Sequence, residues 1–321
     1  MMSELPNVVA DVGGTNARFA LVNPGETEVF NAETLPVKDF ENLSSAFRHY
    51  ANGNGLVGTK RLCVALAGPI DGDDVQLTNG DWAFSISDTR SELGLLSLIL
   101  INDFKAQAMA LAYIGEDQLV LLGGRTPVQG RPKVIVGPGT GLGVAALVPN
   151  GERYTVVESE GGHSGLAPTS EHDIAIYRKL LQQYGRVSAE RVLCGAGLRN
   201  LYSTLGELDG VETGSYTEAE IVEEALAGTD ASCLKALDVF LAYLGAVAGD
   251  FALTFGALGG VYIAGGIVPR VKDHIANTEF RSRFEAKGRL SYMQKDIPTY
   301  LVMSEHAGLI GAAACLNDEV C

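Results

Sequence analysis

The chain has 321 residues, of which 46% are hydrophobic and 20% are charged. This balance is typical of a packed globular protein and excludes a mainly disordered one, and the length predicts two domains. The formal net charge of -15 argues against a nucleic-acid partner, because phosphate backbones are bound by clustered Lys and Arg. Acidity of this kind is typical of a solvated surface that favours solubility.

The N-terminal segment 1–7 contains Glu4 and no basic flank, so no signal peptide is expected. No apolar run approaches the ~20 residues that a membrane helix needs, so no membrane partner is expected either. The five cysteines are odd in number and form no CxxC pair; they are Cys63, Cys194, Cys233, Cys315 and Cys321. Scattered cysteines of this kind are typical of reduced thiols in the cytoplasm, not of a disulfide framework or a zinc site.

The N-terminal third begins with a predicted β-hairpin. Apolar runs at 8–12 and 18–22 flank the Gly-rich residues 13–16, and this spacing is typical of two antiparallel strands and their turn. The hydrophobic pattern then predicts, in chain order, a helix at 40–50, strands at 61–67 and 98–101, and a helix at 104–113. Asn102 and Asp103 therefore stand at a strand-to-helix junction.

A second passage repeats the first hairpin. The segments ADVGGTNARFALV and VGPGTGLGVAALV share the order of strand, Gly/Thr turn and strand, which indicates an internal repeat of one supersecondary unit. Thr217 and Glu220 form a capping-box pattern before Ile221. The remaining pattern predicts strands at 133–136, 144–148, 154–157, 261–264 and 300–303, a long buried helix at 231–258 and a last helix at 308–316. Strands that alternate with helices predict the α/β class.

The Gly-rich turns of the two hairpins are candidate phosphate sites, because bare backbone N–H groups can approach phosphate oxygens there. A P-loop is excluded, since the chain has no Gly-Lys pair, and a Rossmann fingerprint is excluded, since Leu142 and an apolar run follow the second turn. One such turn alone would equally be a plain hairpin turn. Two copies with matching flanks favour a phosphate-binding cradle.

The cradle has few charged groups of its own. Asp11 ends the first strand, Arg18 is the one nearby cation, and neither turn contains a lysine. Mg²⁺ and backbone dipoles are therefore expected to neutralise most of the phosphate charge. The predicted cradle residues are Asp11, Gly13, Gly14, Thr15, Asn16, Arg18, Gly137, Gly139, Thr140 and Gly141.

Seven segments, spread in order over nearly the whole chain, resemble the bacterial glucokinase family of the actin, Hsp70 and sugar-kinase superfamily. They are ADVGGTNARFALV, LTNGDWAFS, INDFKAQAMA, VGPGTGLGVA, EGGHSGLAP, SAERVLCGAGL and GGVYIAGGIVPR. The cysteine-rich zinc motif of the repressor-and-kinase branch is missing, which indicates the zinc-free group. Cys194 and Ala196 stand where relatives often carry Ser and Pro, and this departure affects the local turn.

The resemblance implies a fold of two ribonuclease-H-like, actin-like ATPase lobes, with the active site in the cleft between them and the last helix packed on the first lobe. The expected domains are 1–110 with 303–321, and 111–302. The implied activity is ATP-dependent phosphorylation of glucose to glucose 6-phosphate, with ATP and Mg²⁺ as cofactors. A cytoplasmic homodimer is the corresponding expectation for assembly and location.

Transfer of a phosphoryl group to a hydroxyl requires a residue that orients the acceptor and takes its proton. From its position alone, Asp103 could equally be a helix N-cap. The resemblance implies that Asp103 is the catalytic base and that Asn102 binds the sugar.

The resemblance also assigns the remaining contacts. It implies that Glu160, His163 and Glu190 bind sugar hydroxyls, although Glu190 alone would be interpreted as an exposed residue early in a helix. Asn79 is expected near the sugar, and Asn-Gly is equally a turn signal. Gly265 and Gly266 resemble an adenosine motif and also fit a strand-to-helix turn.

Two other functions stay open at this stage. The chain could be a kinase for another hexose, such as mannose or fructose, or a sugar-sensing protein without catalysis. A transcriptional regulator would need a DNA-binding domain, and the predicted fold begins by Asn7, which leaves no room for a helix-turn-helix. Asp103 beside intact phosphate turns favours an enzyme.

Overall fold

A computed structural model describes residues 5–56, 58–68, 70–77, 80 and 82–317. It divides into two compact units, Met1–Gly115 with Ser304–Cys321, and Glu116–Met303. We refer to these as the first and the second unit.

Within these residues the strands are β1 (Asn7–Val12), β2 (Asn16–Val22), β3 (Val29–Pro36), β4 (Arg61–Leu66), β5 (Asp74–Gln76), β6 (Ala83–Ser85), β7 (Ser97–Asn102), β8 (Leu119–Gly123), β9 (Lys133–Pro138), β10 (Leu142–Asn150), β11 (Arg153–Ser159), β12 (Val261–Ile263) and β13 (Thr299–Val302). The helices are α1 (Leu43–Gly53), α2 (Ile86–Glu92), α3 (Asp103–Ala110), α4 (Glu171–Tyr184), α5 (Gly195–Asp209), α6 (Glu218–Ala227), α7 (Ala231–Phe255), α8 (Lys272–Ile275), α9 (Phe280–Glu285), α10 (Ser291–Gln294) and α11 (Ala307–Asn317).

The first unit contains a five-stranded sheet of order β3-β2-β1-β4-β7. Strand β1 is antiparallel to β2 and parallel to β4, and β4 is parallel to β7. The register aligns Val12 with Leu66 and Leu66 with Asn102, so the carboxyl ends of these three strands lie at one edge. The first Gly-rich turn and Asp103 both follow strands that end at this edge, which is where α/β sheets bind ligands.

Helix α11 packs on α3 within the first unit. A Cβ atom at Gly311 would lie 1.8 Å from the Ala106 carbonyl oxygen, so only glycine permits this close approach of the two helices. One turn earlier, Gly308 lies against the Asp11 side chain of β1. The last helix therefore supports the edge of the sheet where the predicted site residues lie.

The second unit contains a six-stranded sheet of order β11-β10-β9-β12-β13-β8. Strand β9 is antiparallel to β10 and parallel to β12, as β1 is antiparallel to β2 and parallel to β4. Five strands of each sheet follow the same spatial order: three consecutive antiparallel strands, β3-β2-β1 or β11-β10-β9, and then two parallel strands, β4-β7 or β12-β13. The internal repeat predicted from the two hairpins is confirmed.

Capping residues determine where several helices begin and end. Helix α1 begins later than predicted, because the Asn42 side chain accepts a hydrogen bond from the Ser45 N–H at 2.9 Å and forms a capping box. Helix α7 ends at Phe255, because Gly256 adopts a left-handed conformation with φ of 60°. The predicted capping box of Thr217 and Glu220 is confirmed at the start of α6.

The expectation that no apolar segment reaches membrane-spanning length is wrong for α7. Among the described residues this one helix is long and apolar enough to cross a membrane by length and composition, with a mean hydropathy of 1.6. However, 78% of the apolar window is buried inside the structure, including Phe240, Leu241 and Leu244. A core helix explains the same composition, because an element buried on all sides is apolar all round.

The expectation of free thiols is confirmed for three cysteines and is wrong for one. Cys63, Cys194 and Cys233 are free and buried, whereas Cys315 is in a disulfide. Among the described residues no group of three or more His, Cys, Asp or Glu side chains could hold a metal ion.

Candidate active site

The first Gly-rich turn connects β1 to β2 in the first unit. The Gly13 N–H donates to the Asn16 carbonyl at 2.9 Å, and the Thr15 carbonyl accepts from the Val37 N–H at 2.9 Å. These two bonds close the turn and tie it to the end of β3. Gly14 lies inside the turn, and Asn16 begins β2 with its side chain exposed.

Asp11 lies one residue before the end of β1, opposite Arg18 on β2. The Arg18 Nη1 atom lies 3.7 Å from Asp11 Oδ2, and a Cβ at Gly308 would lie 2.8 Å from the same oxygen. Burial raises the pKa of the Asp11 carboxyl, and the Arg18 charge only partly opposes this. The carboxylate is therefore held against the first turn of α11 with its charge poorly compensated.

Asn102, not Asp103, is the N-cap of α3. Its Oδ1 atom accepts from the Phe104 N–H at 2.9 Å and from the Lys105 N–H at 3.2 Å, and its Nδ2 atom donates to the Gly68 carbonyl at 3.3 Å. An amide nitrogen has two donor hydrogens, so one of them remains for another acceptor, such as a sugar hydroxyl. The capping role that sequence left open for Asp103 is therefore filled by its neighbour.

Asp103 is the first residue of α3, and its Oδ1 atom accepts from the Phe104 N–H at 2.9 Å. The position at the helix N-terminus favours a negative charge, because the dipole is positive there. Asn79, the other residue expected near the sugar in the first unit, lies outside the described residues.

The second Gly-rich turn connects β9 to β10 in the second unit. Gly137 pairs with Gly143 in the strands, and the Gly139 N–H donates to the Gly141 carbonyl at 2.8 Å. Thr140 is exposed at the tip. The Gly139 carbonyl accepts from the Gly195 N–H at the start of α5 at 2.9 Å, so the turn is bonded to a helix N-terminus.

Gly265 and Gly266 lie next to this turn. Gly265 has φ of 90°, and a Cβ there would lie 2.3 Å from the Pro138 carbonyl oxygen, whereas Gly266 has open space around it. The Ala264 N–H donates to the Val136 carbonyl at 2.9 Å. The structure thus brings the segment that resembles the adenosine motif beside the second turn.

The three predicted sugar-binding side chains of the second unit form one cluster. His163 Nε2 lies 3.9 Å from Glu160 Oε2, and His163 Nδ1 lies 3.8 Å from Glu190 Oε1. Exposed fractions of the side chains are 83% for Glu160, 58% for His163 and 30% for Glu190. The carboxylate oxygens and imidazole nitrogens of this cluster could exchange hydrogen bonds with the hydroxyl groups of a sugar.

Two 3₁₀ helices position this cluster. His163 ends Gly161–His163, and Glu190 lies in Ala189–Arg191 instead of at the start of a longer helix. The two segments are joined because the Ala189 N–H donates to the Ser164 carbonyl at 2.9 Å.

Several contacts escaped the sequence analysis. Glu190 Oε2 accepts from the Leu142 N–H at 2.9 Å across 48 residues, and a Cβ at Gly141 would lie 2.6 Å from that oxygen. The supporting glycines Gly308 and Gly311 were predicted only as part of a helix. No spacing in the sequence signals such contacts, because they join segments far apart in the chain.

The chain is similar to known proteins over nearly its whole length. The glucokinase family model matches residues 8–319. Glucokinase of Neisseria meningitidis is 45% identical over 315 residues, which cover 98% of this chain and 96% of the relative. The crystal structure of a glucokinase from an Antarctic psychrotroph superposes with a TM-score of 0.89 at 38% identity, covering 97% of this chain and 98% of that one.

A more distant structure supports the fold alone. The ROK family glucokinase from Streptomyces griseus, in complex with glucose and AMPPNP, has a TM-score of 0.65 at 18% identity and covers 97% of this chain and 99% of that one. The actin-like α/β fold predicted from the sequence is therefore confirmed. With a family match over nearly the whole chain and 45% identity to a curated member, this chain belongs to the glucokinase family.

Proposed function

We propose that this enzyme transfers the γ-phosphoryl group of ATP to the 6-hydroxyl of glucose, with Asp103 as the base. ATP-dependent phosphorylation of glucose is the activity of the family to which the chain belongs. The observation that carries the role of Asp103 is the capping of α3 by Asn102. Asp103 is therefore not required as the helix cap.

In this mechanism the Asp103 carboxylate accepts the proton of the 6-hydroxyl while the hydroxyl oxygen attacks the γ-phosphorus in line. The new P–O bond forms as the bond to ADP breaks. The N-terminal dipole of α3 favours the ionised carboxylate that a base requires. Asn102 retains one amide hydrogen besides the one that it donates to Gly68, which supports a hydrogen bond to a sugar hydroxyl.

We assign nucleotide binding to the two turns, whose glycine backbones can approach phosphate oxygens. Gly265 and Gly266, beside the second turn, leave backbone open to the adenosine. Arg18 adds one positive charge in the first unit.

The Mg²⁺ of MgATP fits the residues present. Mg²⁺ is commonly held by one or two carboxylates together with phosphates and waters, so it needs no cluster of protein ligands. Asp11 would hold it, since burial leaves this carboxylate with a charge that a cation would compensate. When bound, Mg²⁺ neutralises charge on the phosphates.

Glu160, His163 and Glu190 are assigned to the sugar, together with Asn79 and Asn102. Carboxylates accept hydrogen bonds from hydroxyl groups, and His can donate or accept. A ligand that lacks one of these hydroxyls would leave a polar group unpaired, which is how such sites discriminate among similar substrates.

A coupled assay of ADP release, run with ATP and a panel of glucose, mannose and fructose, tests the activity. We expect the highest kcat/KM with glucose. A higher value for mannose or fructose would indicate a kinase for another hexose. Glucose binding without ADP release from any sugar would indicate a sugar-sensing protein.

We also propose that the enzyme acts in the cytoplasm as a homodimer, with neither a nucleic-acid nor a membrane partner. The buried free thiols of Cys63, Cys194 and Cys233 support a reducing compartment, and the disulfide at Cys315 is the observation against it. Light scattering of the purified protein would test the dimer.

A further inference from the structure

The backbone of Leu142 is the point where the second Gly-rich turn meets the sugar-binding segments. Its N–H donates to Glu190 Oε2 at 2.9 Å. Its carbonyl oxygen lies under Gly162, where a Cβ would come within 2.1 Å. Leu142 is the residue directly after Gly141, so both sugar-binding segments contact the turn that we assign to phosphate.

Glu190 uses its two carboxylate oxygens on different partners. Oε2 faces the turn, where it accepts the Leu142 hydrogen bond and leaves no space for a side chain at Gly141. Oε1 faces His163 at 3.8 Å, within the proposed sugar cluster. A rotation of this one carboxylate would therefore change its contact with the turn and its contact with His163 at the same time.

We propose that Glu190 couples sugar binding to nucleotide binding by holding the Gly139–Leu142 turn in shape, in addition to its contact with the sugar. The coupling rests on the proposed function, since it needs the turn to bind phosphate and Glu190 to bind sugar. Sugar that engages Oε1 fixes the carboxylate, and the fixed Oε2 orders the Leu142 N–H and the adjoining turn. Because coupling between binding sites is reciprocal, ordering of the turn by nucleotide strengthens sugar binding equally.

A pair of matched substitutions separates this coupling from a general disturbance of the turn. In Gly141→Ala the new Cβ would lie 2.6 Å from Glu190 Oε2, the far end of a flexible side chain, so the carboxylate moves and the backbone stays. In Gly139→Ala the new Cβ has nothing within 4 Å. Both positions lie in the phosphate turn, and only one touches Glu190.

Isothermal titration with glucose, first without nucleotide and then with saturating Mg²⁺ and AMPPNP, gives the decisive comparison. We expect the nucleotide to lower the glucose Kd of the wild type and of Gly139→Ala at least about fivefold, the lower range of measured coupling effects, and to change that of Gly141→Ala much less. Thermal unfolding of each variant establishes that both are folded. An equal effect of the nucleotide on the glucose Kd of the two variants would overturn the proposal.

A second comparison examines the reverse direction with Mg²⁺ and AMPPNP as the probe and no sugar present. Glu190→Ala removes the acceptor of the Leu142 N–H and should weaken AMPPNP binding, whereas Glu160→Ala, which loses a carboxylate of the same cluster, should not. If Glu190→Ala left the AMPPNP affinity unchanged, the coupling would be refuted. The assignment of Glu190 to the sugar would not be affected by that result. If wild-type protein bound no glucose at all, the proposed function itself would fail, which is a separate result.

Discussion

The turn after β1 and the turn between β9 and β10 occupy equivalent places in the two sheets, yet different parts of the chain support them. The first turn is closed locally, by a bond from Gly13 to Asn16 and one from Val37 to Thr15. The second is held by Gly195 and Glu190, which lie about 50 residues later. The comparison shows that a repeated hairpin acquires its particular chemistry from segments that are not part of the repeat.

The nearby carboxylates differ in the same way. Asp11 belongs to the first hairpin and lies beside Gly308, with 20% of its side chain exposed, while Glu190 reaches the second hairpin from elsewhere and has 30% of its side chain exposed. Carboxylates hold Mg²⁺ together with phosphates, and they also accept hydrogen bonds from sugar hydroxyls. We therefore expect substitution of Asp11 to affect the use of MgATP and substitution of Glu190 to affect sugar recognition.

The largest expected effect is that of Asp103→Asn. It should lower kcat by at least about 100-fold, the usual contribution of a positioned acid or base, while glucose still binds by titration calorimetry. Asp88→Asn, an exposed acidic residue in the first turn of α2, is the control and should keep wild-type kcat. Near-normal turnover of Asp103→Asn would remove it from the mechanism.

Substitutions in the sugar cluster should raise the KM for glucose. Glu160→Ala and His163→Ala each remove a side chain that is expected to form a hydrogen bond with glucose. A hydrogen bond to a charged group is worth about 1.5–3 kcal/mol, or roughly 10–150-fold in KM for glucose. The KM for ATP should change much less, because both side chains are assigned to the sugar and not to the nucleotide. Steady-state kinetics with each substrate varied in turn measures both. A rise confined to the ATP value would show that the sugar assignment is wrong.

Gly265→Ala tests the support of the second turn. The substitution forces a side chain into a conformation with φ of 90° and places its Cβ 2.3 Å from the Pro138 carbonyl. We expect a loss of about 1–3 kcal/mol in the free energy of unfolding and a higher KM for ATP. Gly266→Ala, with open space around the Cβ, is the matched control. Equal unfolding midpoints for the two variants would contradict the close approach seen here.

The smallest expected effect is a pH-dependent change in protein stability at Asp11. Burial raises the pKa of the folded Asp11 carboxyl above its ordinary value of 3.8, so the folded state binds this proton more strongly than the unfolded state. Stability attributable to Asp11 therefore falls as pH rises from 3.8 through the folded pKa. Asp11→Asn should unfold at a higher temperature than wild type at pH 7, and the difference should shrink as pH falls toward 3.8.

Thermal unfolding across this pH range measures the effect, with Asp88→Asn as an exposed control that should show no such trend. The same Asp11→Asn variant should use MgATP poorly, since it lacks the proposed Mg²⁺ ligand. An unchanged or lower midpoint at pH 7 would show that the Asp11 charge is well compensated after all.

Elements with a strong periodic pattern could be predicted from the sequence. The two hairpins, the strands β4 and β7, and the long helix α7 all occur where the apolar pattern placed them, because their burial imposes that pattern. Strand β3 was missed, since most of its residues are exposed and carry no alternation. It forms because β2 offers it a hydrogen-bonding edge, which is a tertiary property.

Some features of the site could be predicted from the sequence, and others only from the structure. Sequence pattern, together with the resemblance to a family, identified the Gly-rich turns and the candidates Asp103, Glu160, His163 and Glu190. It did not decide whether Asn102 or Asp103 caps α3, because both residue types favour that position and only the backbone geometry at Asn102 selects one.

The chain's own pattern of apolar residues, glycines and caps thus determined the repeated hairpins and the helices α1, α3, α7 and α11, because these depend on interactions between residues close in sequence. Only the tertiary structure decided that Gly308 would lie against Asp11 and that Glu190 would hold Leu142. Such contacts depend on the packing of segments that are distant in the chain, and a hydrogen bond of 2.9 Å across 48 residues leaves no local trace in the sequence.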